Sequence, residues 1–228
     1  MPDVVLDPSE TIKEVISISN MSGCTVELVT LRKSLTFNPL TIIMKHLPEK
    51  IHSHCIRVAA ISQILAEQAE DLPEGMNKDA FIHCVWMGGL YHHIGGFTGL
   101  KNKKQAVLAV GILKENLTYL SCCDLEQKMV LSIASQYGER FDSSGYPNKL
   151  QGKEVLFAAR IIAFVNLLDG FIIYKEACSE RNIEKTDRYM RKKGAAIFGS
   201  DVMACFEKSR DIIFDLYRRR YQRVQGVV

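Results

Sequence analysis

Between residues 155 and 173 the chain runs almost without a polar side chain, and this stretch constrains the fold more than any other. It is about as long as a bilayer span. However, Arg160, Asn166 and Asp169 interrupt it, and charges at that depth are costly in lipid. A helix that is apolar on nearly every side belongs in the middle of a protein. The expectation is a buried central helix over about 152–175, with other helices packed around it and no transmembrane segment.

The flanking sequence supplies those helices. Over 48–70 the apolar positions Ile51, Val58, Ile61 and Leu65 keep one helical face, and Leu72-Pro73-Glu74-Gly75 closes it as a turn. Further helices are predicted over 78–93, stopping at Gly95-Gly96, over 104–116, and over 124–137 with Asp124 as cap. Asp142-Ser143-Ser144-Gly145-Tyr146-Pro147 is a loop by composition. A last helix is predicted after Ser200 as cap; it buries Val202, Phe206, Ile213 and Leu216 and ends in the basic run 218–223. Near the start, Asp7-Pro8-Ser9-Glu10 opens a short helix ending near Asn20. The run 23–31 reads either as a short strand or as irregular chain. The fold class is therefore all-α: a single helical bundle over 46–228, preceded by an extension over 1–45 with a short β or irregular segment.

A net charge of +3 over 228 residues argues against nucleic acid as an obligate partner. The first ten residues carry acids and prolines where a signal peptide needs a basic start and an apolar core, so a cytoplasmic location is expected. The seven cysteines form no CxxC pair and read as reduced, mostly buried small side chains.

Four segments, in order, carry a resemblance. They are His54-Cys55-Ile56-Arg57-Val58, Leu90-Tyr91-His92-His93-Ile94-Gly95-Gly96, the run from Glu139 through Asp142 to Gly145-Tyr146-Pro147, and Phe164-Val165-Asn166-Leu167-Leu168-Asp169. Together they resemble the HD-GYP branch of the HD superfamily of metal-dependent phosphohydrolases, known chiefly as bacterial cyclic di-GMP phosphodiesterases. Phe198-Gly199-Ser200-Asp201-Val202-Met203 is a fainter echo of the family's closing motif. The resemblance implies a helical bundle of the HD-domain type and a site of histidines and carboxylates holding divalent cations. Such cations lower the pKa of a bound water and neutralise the phosphate.

The departures are as informative as the matches. His93 stands where the family has a bridging aspartate, and one imidazole cannot bridge two cations. Gly96 replaces a phosphate-contacting lysine, and Tyr137 and Gly138 replace two histidines. Asn166 replaces an aspartate, and a further family histidine falls on Val107. His54 and His92 remain as metal positions, with His93 or His52 as helpers, which is fewer than the three or four ligands a zinc or iron site uses. The expectation is no cofactor, and at most one divalent ion of zinc, iron or manganese. The bland reading makes His54 and His92 ordinary buried histidines. It also gives His93 an imidazolium role at a helix C-terminus.

Asn166 and Asp169 are expected to face the old pocket as polar groups and to hydrogen-bond to His54, His92 or ordered water, because a buried polar group left unpaired costs roughly 1–3 kcal/mol. Asp142, Gly145, Tyr146 and Pro147 form the candidate partner surface, since in the family this loop is proposed to meet diguanylate-cyclase (GGDEF) domains. Gly145 also reads as a turn glycine with a positive dihedral. The first functional expectation is a catalytically inactive regulatory domain in cyclic-di-GMP-type signalling that binds a GGDEF-type protein or itself. One rival is a phosphohydrolase with an atypical ligand set. The other is a module that binds a cyclic dinucleotide without cleaving it.

Overall fold

The computed structural model describes residues 38–98, 103–120, 123–173 and 178–224. The helix expected near 8–20 and the segment 23–31 lie outside them. The described residues are all-α: α1 (Pro39–Lys45), α2 (Glu49–Glu67), α3 (Lys78–Tyr91), α4 (Lys103–Glu115), α5 (Asp124–Gln136), α6 (Phe157–Ile172), α7 (Glu180–Phe198) and α8 (Ser200–Val224). Short 3-10 turns follow α3 at Ile94–Thr98 and α4 at Leu117–Leu120.

The apolar stretch is the hub. Helix α6 packs against α2, α3, α5, α7 and α8, and Ala158 through Val165 are all buried along it. Arg160, which interrupts the run, is tolerated there because its guanidinium is fully engaged. It donates to the carbonyls of Val155 and Phe198 and pairs with Asp201 at the start of α8, with an Nη2–Oδ2 distance of 2.7 Å. No described helix is long and apolar enough to cross a membrane. Cys55, Cys84, Cys178 and Cys205 are buried free thiols, and Cys123 is an exposed one.

Several expected boundaries move. Helix α6 begins at Phe157 rather than near 152, because Gly152 sits at φ 59° in a 3-10 turn and Val155 and Leu156 are extended. Asp124 is not the cap of α5; Cys123 holds that place with extended backbone, and Asp124 is the first helical residue, where its charge suits the helix dipole. Ser200 is likewise the first helical residue of α8, following Gly199 at φ 98°.

Helix α7 was not anticipated at all. Its buried positions Ile183, Thr186, Met190, Gly194 and Phe198 form a seam one residue wide, and most of the rest of its surface is charged or polar. The helical period is well marked, but few large apolar residues carry it, so the segment reads as charged surface. The Ser179 cap, whose hydroxyl accepts from the Asn182 amide at 3.2 Å, was the available signal.

Candidate functional site

The site is assembled from two i, i+3 pairs facing each other across the bundle. His54 and Arg57 share one face of α2, and Asn166 and Asp169 share one face of α6. His54 Nδ1 lies 2.6 Å from Asp169 Oδ2, and its Nε2 lies 2.9 Å from the Asn166 side-chain oxygen. Asp169 is 1% exposed and receives Arg57 through Nε and Nη2 at 2.7 and 2.9 Å. The Tyr217 hydroxyl on α8 donates to it at 2.7 Å. Burial alone would raise this carboxyl; hydrogen bonds from His54 and Arg57 outweigh it and hold the pKa at about 2.

Where α3 ends, His92 and His93 turn under the same face. One ring nitrogen from each of His54, His92 and His93 can be chosen so that all lie within 4.8 Å of one another. The His92 and His93 ring centroids are 4.1 Å apart. His92 is fully buried, and its Nδ1 is 2.7 Å from the Gly89 carbonyl oxygen. Its Nε2 is buried without a hydrogen bond of ordinary geometry, although the Asn166 side chain interacts with the ring.

Burial, reinforced by the neighbouring imidazoles, holds His92 well below the usual histidine range, and burial with His54 pushes His93 down to about 3. The imidazolium role expected for His93 at a helix end is therefore corrected: desolvation outweighs the helix dipole and keeps the ring neutral. Neutral imidazoles are the form that binds metals. Together with the buried Nε2 and the carboxylate behind His54, they fit a single cation held by His54, His92 and His93.

The surroundings differ from a multi-metal phosphohydrolase site in kind as well as in ligand count. Tyr137 caps α5, is 1% exposed, and stands edge-on to His92 and His93 at centroid distances of 5.2 and 5.4 Å. A β-carbon added at Gly138 would come within 2.6 Å of the Tyr146 ring, so Tyr146 occupies the space a side chain at 138 would need. A β-carbon at Gly96 would meet the Gln105 amide nitrogen at 3.0 Å and Ile51 at 3.1 Å, so these two side chains fill the place of the absent lysine.

Val107 does not face the site; it is 62% exposed, and α4 instead sends in Gln105, which hydrogen-bonds His93. Gln105 and Tyr217 escaped sequence reasoning, since nothing local distinguishes a buried polar side chain at a site from one on a solvated face.

The candidate partner loop is held from beneath by Glu139. This fully buried carboxylate accepts from the Asn148 and Leu150 amides at 2.6 and 3.2 Å. Asp142 is exposed and accepts from the Ser144 amide and hydroxyl. Gly145 is buried, and Tyr146 and Pro147 are half-buried. The turn-glycine expectation for Gly145 is corrected. The positive dihedrals fall on Ser143 and Lys149, and Gly145 is required because a β-carbon there would stand 2.4 Å from backbone atoms of Glu139 and Arg140. In the basic run at the end of α8, Arg218 pairs with Glu180 and Arg219 with Asp215, as expected of a solvated helix end.

No protein-family profile matches the chain. Over 191 residues it is 22% identical to a cyclic di-GMP phosphodiesterase of Thermotoga maritima, an alignment covering 79% of this chain and 50% of that protein. The chain thus spans about half the length of the curated relative it matches. This similarity runs in the same direction as the resemblance carried by the ordered histidine and loop motifs, and the described residues are all-α.

Proposed function

We propose that the chain is a regulatory, protein-binding relative of cyclic di-GMP phosphodiesterases that does not hydrolyse the dinucleotide, and that its imidazole cluster takes at most one cation. The observation that carries this reading is the placement of Tyr137, buried edge-on against His92 and His93. The bridging role has no obvious heir either, because both oxygens of Asp169 are committed to Arg57, His54 and Tyr217. Without a bridge, two cations would repel one another at close range in a buried setting.

The test supplies the purified protein with manganese or iron and cyclic di-GMP, and measures metal content alongside turnover. Fewer than two metal ions per chain and no hydrolysis are expected. Turnover that disappears in His92→Ala overturns the reading.

A second reading, a phosphohydrolase working with one metal, draws on the buried His92 Nε2 and on the activity named for the relative. The same assay separates the two, and titration with cyclic di-GMP separates both from a binding module that does not cleave. For the protein partner, we assign the loop of Asp142, Gly145, Tyr146 and Pro147, facing a GGDEF-type domain or a second copy of the chain. Asp142 and Ser144 are exposed there, and Glu139 gives the loop a rigid base.

A further inference from the structure

The imidazole cluster has a fourth donor beside it, and that donor is an oxygen. Tyr137 Oη lies 3.4 Å from His93 Nδ1. This is beyond the ~2.7–3.2 Å of an ordinary hydrogen bond. It is close to the separation of roughly 3.4 Å between two ligand atoms that each sit about 2.05 Å from one tetrahedral cation. Tyr137 is buried, and its ring is held edge-on to both His92 and His93. His92 Nε2 is likewise buried and makes no hydrogen bond of ordinary geometry.

Charge points the same way. Three neutral imidazoles offset none of a cation's charge, and an uncompensated charge in a buried site is expensive. Asp169 cannot help, since both of its oxygens are engaged.

We propose that Tyr137 is the fourth ligand of a single transition-metal cation held by His54, His92 and His93, giving a site of three imidazoles and one phenolate. The proposal rests on the single-cation part of the reading above. On binding, the phenol O–H bond breaks, its electron pair becomes the oxygen–metal bond, and the proton passes to bulk water. His54 exchanges its Nε2 contact with Asn166 for the cation and stays anchored through Nδ1 to Asp169.

Ferric iron is the informative probe, because a phenolate bound to it gives a charge-transfer band in the visible and imidazole ligation alone does not. Chelator-stripped protein is given one equivalent of ferric nitrilotriacetate, desalted, and examined by elemental analysis, visible absorption and resonance Raman scattering. One iron per chain is expected, with a visible band and tyrosinate ring vibrations. Tyr137→Phe should retain iron and lose the band, while Tyr146→Phe should keep both. Tyr137→His, which preserves a ligand at that position, should bind iron without colour and serves if the phenylalanine variant fails to fold.

Iron bound at one per chain without a band, or a band that survives in Tyr137→Phe, overturns the tyrosine assignment and leaves the single-cation reading standing. Wild-type protein that binds neither iron nor zinc overturns the single-cation reading and the proposal with it.

Discussion

Gly145 touches the backbone of Glu139 and Arg140 so closely that a methyl group has nowhere to go. Gly145→Ala should therefore destabilise the protein by about 2–3 kcal/mol, as overpacking against unyielding atoms does. A urea midpoint equal to wild type would show that the loop gives way. Asp169 presents the opposite case, a buried charge held by its neighbours. Asp169→Asn leaves Arg57 short of its counter-charge, and a loss of about 3 kcal/mol is expected.

The acid behaviour of metal-free protein carries the sign of the Asp169 shift. Its folded pKa of about 2 lies below the ordinary 3.8, so its contribution is complete above 3.8 and is lost as pH falls through 2. Denaturation profiles between pH 4 and pH 2 should steepen in wild type and flatten in Asp169→Asn; identical slopes would contradict the assignment. The Asp169 position was legible in the sequence as a polar group on an apolar helix. Its contact with His54 was legible too, since both belong to the resembling motifs; those from Arg57 and Tyr217 were not, because nothing along the chain singles out these side chains as its partners.

At the scale of elements, what could be read depended on how much apolar surface each helix carries. Helices α2, α3 and α6 bury broad faces, and their apolar content placed α2, α3 and the end of α6 within a few residues. Helix α7 buries only a narrow seam and went unread. Its start depends on Ser179, whose side chain accepts an amide hydrogen bond from the first turn. Ser179→Ala should cost about 1 kcal/mol, visible as a lower melting temperature with the far-ultraviolet helical signal retained at 20 °C. No change would mean that packing against α6 and α8 alone positions the helix. The start of α6 could not be read for a different reason. Apolarity continues back through Val155, but the backbone at Gly152 has already turned into a 3-10 conformation that hydropathy does not register.

For the molecule as a whole, the loop from Glu139 to Pro147 tests the proposed role. Part of the Tyr146 ring lies on Gly138 and part stays open, so Tyr146→Ala should both loosen the loop and weaken association. Loss of an aromatic anchor at an interface is worth ~2 kcal/mol or more, roughly a 30-fold rise in dissociation constant. Sedimentation of the protein alone, and binding to a GGDEF-type domain, would read this. Lower thermal stability with unchanged association in both assays would reduce the loop to a structural turn.

By itself the sequence determined the helical class, the central place of α6 and the order of the motifs, because these follow from local periodicity and residue type along one segment. It also showed which family positions carry other residues: His93, Gly96, Tyr137, Gly138 and Asn166. What occupies the vacated space was decided by tertiary structure. Only the packing of α5 against the end of α3 puts the Tyr137 hydroxyl beside His93, and only the fold of the loop lays Tyr146 over Gly138. Likewise, the neutral state of His93 comes from burial by surrounding elements, a property of the assembled interior that no stretch of sequence contains.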